Sequence, residues 1–284
     1  MSDFDEDTFK TALAQLKTLT WKPGSSQPDG YNDLGPYNGG NGAIGPANKG
    51  GSYSLEGLQY ATSLTDLELS PSLDYAPKYW HADITDISPL ASLTNLQTID
   101  LSCNRISDVT PLANLKKVTN LNLQYNCIAD FSSLNVAQYS NFAYFRQQVV
   151  LPVVKSATSD ITIAPPFINK LPQGITYASS NVWGSSTLDS AWGITIDADN
   201  NYNQAFYSGG RNSWKNGSLV YTNLAKQVTP GPTTYPWDDG DNTPMIQNPY
   251  KYYLCMEYQD NNVNSTYPIF DYYIPYEINV AQYN

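Results

Sequence analysis

Two consecutive segments of this sequence align with each other at a fixed offset of 22 residues. The first runs from residue 96 to 112 and reads Leu-x-x-Ile-x-Leu-x-x-Asn-x-Ile-x-Asp-x-x-Pro-Leu. The second runs from 118 to 134 and reads Val-x-x-Leu-x-Leu-x-x-Asn-x-Ile-x-Asp-x-x-Ser-Leu. So many coincidences in one register indicate a structural repeat, which constrains the middle of the chain more than any other feature.

The spacing of this repeat has a physical basis. Apolar residues alternate with polar ones around Ile99 and Leu101, as a short strand with one buried face requires. Asn104 and Asn126 follow the two strands, where a buried amide can bond the free backbone groups of its own turn and of the next. The pattern predicts leucine-rich repeats, whose coils must stack because one coil cannot bury its own apolar face.

An earlier coil carries an insertion. The second half of the motif recurs at 84–90, which is the usual 22 residues before 106–112. The strand half of the same coil, at 64–69, lies 32 residues before its counterpart at 96–101. The difference predicts a ten-residue insertion within 71–81, and a half-coil at 55–58 precedes this repeat. About three and a half coils, over 54–136, are close to the minimum for a stable array, so both ends need caps.

An N-terminal cap is expected ahead of the repeats. Phe9, Leu13, Leu16 and Leu19 recur at helical spacing, which predicts an amphipathic helix over residues 5–19. Residues 21–53 are rich in Gly, Pro, Asn and Ser and predict an irregular loop. We therefore assign residues 1–53 to a helical cap and its loop.

The order of these features resembles the internalin family of Gram-positive cell-surface proteins. The resemblance is carried by a helical cap, the segment 54–65 (Ser-Leu-Glu-Gly-Leu-Gln-Tyr-Ala-Thr-Ser-Leu-Thr) and 22-residue repeats with Ile-x-Asp-x-x-Pro-Leu. More weakly, Gln147–Pro152 resembles the entry to the immunoglobulin-like domain that follows such repeats. The resemblance implies an extracellular protein, attached to the cell surface through parts outside this chain.

Residues 137–284 predict a β-rich region. Runs rich in Val, Ile, Thr, Tyr and Trp, separated by turn residues, lie at 148–154, 160–164, 191–197, 218–222, 250–258 and 267–280. They favour an antiparallel, immunoglobulin-like β-sandwich that continues the repeat core, with a long loop at 208–248. One elaborated domain is preferred over two small ones. The predicted fold class is mixed and mainly β: a short capped leucine-rich-repeat solenoid fused to this sandwich.

Composition and charge exclude some partners. Asp and Glu outnumber Lys and Arg by 26 to 15, giving a net charge of −11, so the chain does not match a nucleic-acid-binding protein. No apolar run reaches the length of a membrane helix. Cys103 and Cys127 fall in adjacent coils, but their offset of two repeat positions favours free thiols, and Cys255 is expected in a buried strand.

Catalytic and metal-binding motifs are weak. The one histidine, His81, has no nucleophile and acid beside it in the sequence. Glu257 and Glu277 fall on neighbouring predicted strands, and Asp238, Asp239 and Asp241 cluster near Trp237, but solvated strand and turn acids explain both sets. The segment 197–208 begins like a calcium loop but lacks its glycine and glutamate, which leaves only a looser calcium site open there or at 238–241. We expect no enzyme and no cofactor.

Two surfaces are candidates for binding. Polar residues between the strand leucines should line the concave face of the array: Asp66, Glu68, Thr98, Asp100, Asn120, Asn122 and Gln124. The insertion adds Tyr75, Tyr79, Trp80 and His81, in a loop that either binds ligand or covers the short array.

These surfaces predict a monomeric, non-enzymatic adhesion module that binds a host or extracellular-matrix protein. Two alternatives stay open. The first is binding of mucin glycans by the tyrosine-rich C-terminal strands, and the second is a structural spacer that binds nothing.

Overall fold

The computed structural model describes residues 5–21, 37–38, 43–44, 54–70, 84–185, 190–195, 202–207, 211–228, 250, 252–259 and 267–279. Three predicted regions fall wholly or largely outside these ranges. They are the insertion 71–81, most of the loop 21–53 and the possible calcium segments at 197–201 and 238–241.

The described residues of the N-terminal half form one α-helix and seven short strands. Helix α1 is Glu6–Ala14, and the strands are β1 Thr18–Trp21, β2 Tyr37–Asn38, β3 Ala43–Ile44, β4 Asp66–Leu69, β5 Thr98–Asp100, β6 Asn120–Asn122 and β7 Asn141–Ala143. Five of them form one parallel sheet in the order β1-β4-β5-β6-β7, while β2 and β3 pair with each other. In β4, β5 and β6 the apolar residues are buried and the polar ones partly exposed, as the repeat pattern predicted.

The N-terminal cap differs from the predicted helix over 5–19. Helix α1 starts at the N-cap Asp5 and stops at Ala14, and it contains no buried residue. Leu19 lies instead in β1, which pairs in parallel with β4 from Thr18 to Trp21. The three-residue spacing of Leu16 and Leu19 does not by itself decide between a helix and a strand. The β-branched residues Thr18 and Thr20 favour the strand. The repeat sheet is thus extended by a strand of the cap.

The parallel sheet also continues beyond residue 136. Strand β7 pairs with β6 so that Phe142 lies opposite Leu121. Here aromatic residues replace the repeat leucines, and the offset shortens from 22 to 21 residues, so the sequence pattern does not reveal this coil. The division into 1–53, 54–136 and 137–284 stays a prediction. Strand β7, which belongs to the repeat sheet, lies beyond the predicted boundary at residue 136.

A ladder of buried amides runs along the array. The Nδ2 of Asn126 donates to the carbonyl oxygens of Leu101, Leu123 and Gln124 at 3.0, 3.1 and 3.3 Å, and its Oδ1 accepts the N–H of Ile106 at 3.0 Å. Asn104 donates in the same way to three carbonyl oxygens of its own coil and the preceding one.

Gln147 forms the next step of the ladder. Its Nε2 donates to the carbonyl oxygens of Leu123, Tyr144 and Phe145, and its Oε1 accepts the N–H of Ile128. The longer side chain of glutamine thus takes the place of the repeat asparagine where the array passes into β8.

The aspartate of the Ile-x-Asp-x-x-Pro-Leu motif caps a turn on the opposite side of each coil. Asp86, Asp108 and Asp130 each accept the backbone N–H two residues on, at 2.8 to 2.9 Å. Proline stands in the first turn of the 3₁₀ helices Ser88–Ser92 and Thr110–Leu112, where its missing N–H is not needed.

Ten strands lie in the part of the C-terminal half that the structure describes. They are β8 Gln147–Val150, β9 Val154–Ser156, β10 Ile161–Ile163, β11 Val182–Ser185, β12 Ser190–Thr195, β13 Tyr202–Tyr207, β14 Arg211–Lys215, β15 Ser218–Thr222, β16 Tyr252–Tyr258 and β17 Phe270–Ile278. A three-stranded antiparallel sheet has the order β10-β15-β14, and a seven-stranded sheet has the order β12-β13-β16-β17-β8, with β11 beside β16 and β9 beside β17.

The predicted β-runs all contain strands, but the sheet is not wholly antiparallel. Strands β8 and β9 pair in parallel with β17, and β13 pairs in parallel with β16. Strands β11, β13 and β14 were not predicted, because Gly, Asn, Gln and Ser interrupt their apolar residues. The region is β-rich as expected, and the predicted long loop 208–248 contains the hairpin of β14 and β15.

One apolar core joins the two halves. Phe131 of the last coil packs against Phe270 of β17 with ring centroids 5.9 Å apart. Phe270 in turn stacks on Phe167 at 5.9 Å, and Phe167 contacts Tyr258 at 4.7 Å. This aromatic contact confirms that the repeat core continues into the C-terminal strands.

No disulfide joins the buried residues Cys103, Cys127 and Cys255, and Cys255 lies in β16 as predicted. Burial raises the pKa of the Cys103 thiol well above its usual value. Among the described residues no helix has the length and apolar character needed to span a bilayer.

Replacing Asn126 with Ala should lower the free energy of unfolding by at least about 3 kcal/mol, because it leaves several buried backbone groups without partners at roughly 1–3 kcal/mol each. Urea denaturation followed by circular dichroism measures the change. Asn114→Ala, at an exposed turn position, is the matched control and should change stability by less than about 0.5 kcal/mol. Equal effects of the two substitutions would contradict the structural role of the ladder.

Candidate functional site

The open face of the parallel sheet carries two rows of polar side chains. The parallel register places residues directly beside one another in the rows Thr18–Asp66–Thr98–Asn120–Asn141 and Thr20–Glu68–Asp100–Asn122–Ala143. The predicted concave-face residues of β4, β5 and β6 therefore lie together on one surface. The cap strand β1 and β7 add Thr18, Thr20 and Asn141, which the sequence analysis did not include.

Hydrogen bonds order several of these side chains. The Nδ2 of Asn122 donates to Asp100 Oδ2 at 3.0 Å, and the Nδ2 of Asn141 donates to Asn120 Oδ1 at 2.6 Å. Asp100 Oδ1 also accepts the Ser102 hydroxyl at 2.7 Å. Each pair joins neighbouring positions, so the face presents an ordered pattern of donors and acceptors rather than independent side chains.

A shallow depression of about 440 Å³ lies on this face, across β5, β6 and β7. Its polar lining includes Thr98, Asp100, Asn120, Asn122 and Asn141. Gln124 lies just beyond it, where its backbone N–H donates to Asn122 Oδ1 at 3.2 Å. The described face carries the carboxylates of Asp66, Glu68 and Asp100 and no lysine or arginine in its two rows, so its charge is negative.

The aromatic insertion borders this face in the sequence, but it lies outside the described residues. Tyr75, Tyr79, Trp80 and His81 therefore stay predicted site residues. The described chain leaves the array after Ser70, immediately beyond the carboxyl end of β4, and resumes at Ile84. The described residues before the insertion therefore stop just after β4, the strand that carries Asp66 and Glu68 and lies between β1 and β5.

Most described tyrosines of the C-terminal strands are core residues. Tyr253, Tyr258, Tyr272, Tyr273 and Tyr276 are all buried. Their burial agrees with the prediction that most of the tyrosines after residue 250 serve packing, and it removes these five from any sugar-stacking surface.

Glu257 and Glu277 do not form a carboxylate pair, in line with their interpretation as separate strand acids. Glu257 on β16 lies opposite Asp271 on β17, not opposite Glu277. Glu277 accepts the Tyr250 hydroxyl at 2.8 Å and pairs with Lys155 at 3.2 Å, contacts that lower the pKa of its carboxyl group. Two strands of the same hairpin place Glu257 and Glu277 far apart in register, which excludes a shared role.

A second polar cluster forms around Asp271, and the sequence analysis missed it. Arg146 Nη1 lies 3.5 Å from Asp271 Oδ2, and its guanidinium carbon lies 4.7 Å from the centre of the Tyr267 ring. Burial, reinforced by the charge of Glu257, raises the pKa of Asp271 to about 7 despite the opposing effect of Arg146. Burial also raises the pKa of Glu257. Sequence spacing carries no signal for this cluster, because β8, β16 and β17 meet only in the tertiary structure.

Metal ligands are not grouped in the part of the chain that the structure describes. No set of three or more His, Cys, Asp or Glu side chains there is arranged to hold a metal ion.

Residues 80–114 and 94–136 match the family described as Leucine Rich repeats (2 copies). These residues are therefore leucine-rich repeats, in the segment where the structure shows stacked parallel coils. A search of curated proteins gives no match.

Two solved structures that align with the chain are internalins of Listeria monocytogenes. Internalin InlF is 21% identical with a TM-score of 0.29, over 57% of this chain and 34% of that one. The functional domain of InlJ, which includes a cysteine ladder, is 14% identical with a TM-score of 0.37, over 78% of this chain and 45% of that one. The chain spans less than half the length of either structure. Because both TM-scores are low, the leucine-rich-repeat assignment depends on the repeat segment itself.

The Asp271 cluster makes stability depend on pH. Between about pH 4, where an unfolded aspartate ionises, and about pH 7, the folded protein holds a proton that the unfolded chain has released. Stability from this group therefore falls as the pH rises through that interval. Asp271→Asn should remove this part of the dependence.

Denaturation of both proteins at pH 4.5 and pH 7.5 measures the effect. The wild type should lose more stability over this interval than the Asp271→Asn variant, and Asp108→Asn, on the opposite side of a coil, should behave like the wild type. Identical pH dependence in the wild type and Asp271→Asn would show that Asp271 titrates near its ordinary pKa.

Proposed function

We propose that this chain is a recognition module of a bacterial cell surface that binds a host or extracellular-matrix protein across the concave face of its repeats. The observation that supports it is a parallel sheet with one open face. Parallel sheets are usually covered on both faces. Here one face packs on the core, and the other carries ordered polar side chains in register over five strands.

The charge of the face indicates the chemistry of the partner. Asp66, Glu68 and Asp100 lie on adjacent strands β4 and β5, and the whole chain has a net charge of −11. Complementary charge speeds association and rejects partners of like charge. The partner surface should therefore be basic.

The insertion would supply the apolar anchor that the described face lacks. Binding hot spots are enriched in tryptophan, tyrosine and arginine, whereas the two described rows contain Thr, Asp, Glu, Asn and Ala. In the sequence, Tyr75, Tyr79, Trp80 and His81 follow Ser70, the last described residue after β4. We propose that they contact the ligand beside Asp66 and Glu68.

The immunoglobulin-like assignment of the C-terminal strands also remains a proposal. Two strand layers that share the repeat core support it, while the parallel pairings of β17 with β8 and β9 depart from the expected antiparallel sandwich.

Neutralising the concave face should weaken protein binding. The double variant Asp66→Asn/Glu68→Gln removes two charges from the face without changing side-chain size. Binding to immobilised laminin, fibronectin and collagen is measured by surface plasmon resonance at several salt concentrations. We expect at least a fivefold loss of affinity for the protein bound, and a weaker dependence on salt, because fewer ion pairs form.

A matched double variant, Asp86→Asn/Asp108→Asn, makes the same change in net charge on the side with the 3₁₀ turns and should bind like the wild type. Trp80→Ala tests the insertion separately and should also weaken binding. Equal loss in both charge variants would point to a nonspecific charge effect, and the absence of binding to every protein tested would favour the spacer alternative.

A further inference from the structure

The depression on the concave face lies where a row of side chains becomes short. In the row that passes through Asp100 and Asn122, the next strand contributes Ala143, whose side chain is a single methyl group. Ala143 belongs to the lining of the depression, which has a volume of about 440 Å³. The small residue leaves space that a longer side chain would fill, so a group from outside the chain has room to enter there.

Asp100 brings an unneutralised charge to this depression. Its Oδ1 accepts the backbone N–H and the hydroxyl of Ser102 at 3.0 and 2.7 Å, and its Oδ2 accepts the Nδ2 of Asn122 at 3.0 Å. All three donors are neutral, and no lysine or arginine among the described residues pairs with this carboxylate. A carboxylate offers about four acceptor positions, so one stays open on the partly exposed Asp100.

A second open acceptor lies across the depression. The Nδ2 of Asn141 donates to Asn120 Oδ1 at 2.6 Å, which leaves the Oδ1 of Asn141 as an acceptor to which the described residues bring no donor. Asn141 is exposed on β7, whereas Asp100 lies on β5, with β6 between them. A group that satisfies both acceptors must therefore carry several donors spread over some distance, and a positive charge.

We propose that the depression receives an arginine side chain of the partner protein, with its guanidinium group bonded to Asp100 and reaching towards Asn141. This proposal rests on the proposed binding of a protein across the same face. A guanidinium group has five N–H donors in a fixed plane and can bond several acceptors at once. It is also more weakly hydrated than the ammonium group of lysine, so it loses less when it leaves water beside Ala143.

Other occupants fit the depression less well. The negative charge of Asp100 repels anions, and the described residues contain no group of three acidic, histidine or cysteine side chains that could hold a metal ion. A free small molecule would stay largely in water, because sites for such ligands bury most of the ligand surface and this depression is shallow. A side chain presented by a protein differs in this respect, since the protein itself covers the opening.

Nuclear magnetic resonance titration of the chain with short blocked peptides tests this proposal. The probe is acetyl-Gly-Arg-Gly-amide at millimolar concentrations, and the side-chain amide signals of Asn120, Asn122 and Asn141 report on the depression. The same peptide with citrulline in place of arginine keeps the shape but lacks the charge, and a third peptide carries lysine. These peptides test the depression without requiring that the natural partner be known.

Three variants locate the binding. Asp100→Asn removes the charge at nearly constant size, and Ala143→Gln fills the depression while leaving the charge in place. Asp108→Asn makes the same change in net charge on the side with the 3₁₀ turns and is the matched control. Thermal unfolding establishes that each variant folds.

We expect the arginine peptide to shift the three amide signals, and to bind at least about fivefold more weakly to Asp100→Asn and to Ala143→Gln, because one loses the ion pair and the other the space. Asp108→Asn should differ from the wild type by less than about twofold, since its charge lies beyond the range of screened interactions. The citrulline and lysine peptides should bind more weakly than the arginine peptide.

The proposal is overturned if the arginine peptide leaves these signals unchanged, if the citrulline or lysine peptide binds as tightly, or if folded Asp100→Asn and Ala143→Gln bind as the wild type does. Its failure is distinguishable from failure of the proposed function. A matrix protein that binds to a chain whose amide signals ignore the arginine peptide overturns the arginine site alone. Specific binding of the arginine peptide without binding of any matrix protein supports the arginine site and contradicts the choice of partner.

Discussion

The buried amide ladder is the interaction on which the rest of the structure depends. Each step satisfies backbone carbonyl groups in two consecutive coils, and the coils are too short to satisfy those groups by regular sheet pairing. The residue before each step, Cys103, Tyr125 or Arg146, has a positive φ of 58°, 54° or 62°. This conformation is costly for residues other than glycine, and it is repeated wherever the chain turns into a ladder amide.

The last step of the ladder also connects the two halves of the molecule. Gln147 completes the hydrogen bonds of the final coil through its side chain, and its backbone begins β8, opposite Phe270 of β17. The adjacent residues face different surroundings: Arg146 reaches Asp271, and Gln148 lies beside the same carboxylate. A single turn of the chain therefore ends the repeats, joins the aromatic core and brings Arg146 and Gln148 beside Asp271.

The sequence by itself determined the repeat architecture and the concave-face residues, because both follow from a local period in which leucine, asparagine and aspartate each have a backbone role. It missed β1, because the leucine spacing up to Leu19 also fits a helix. It missed β7, because Phe142 and Gln147 replace the leucine and asparagine of the repeat. Only the tertiary structure decided that Glu257 faces Asp271 rather than Glu277, and that Arg146 and Trp183 join them. Strand register and parallel pairing between distant segments place these side chains, and neither leaves a period in the sequence.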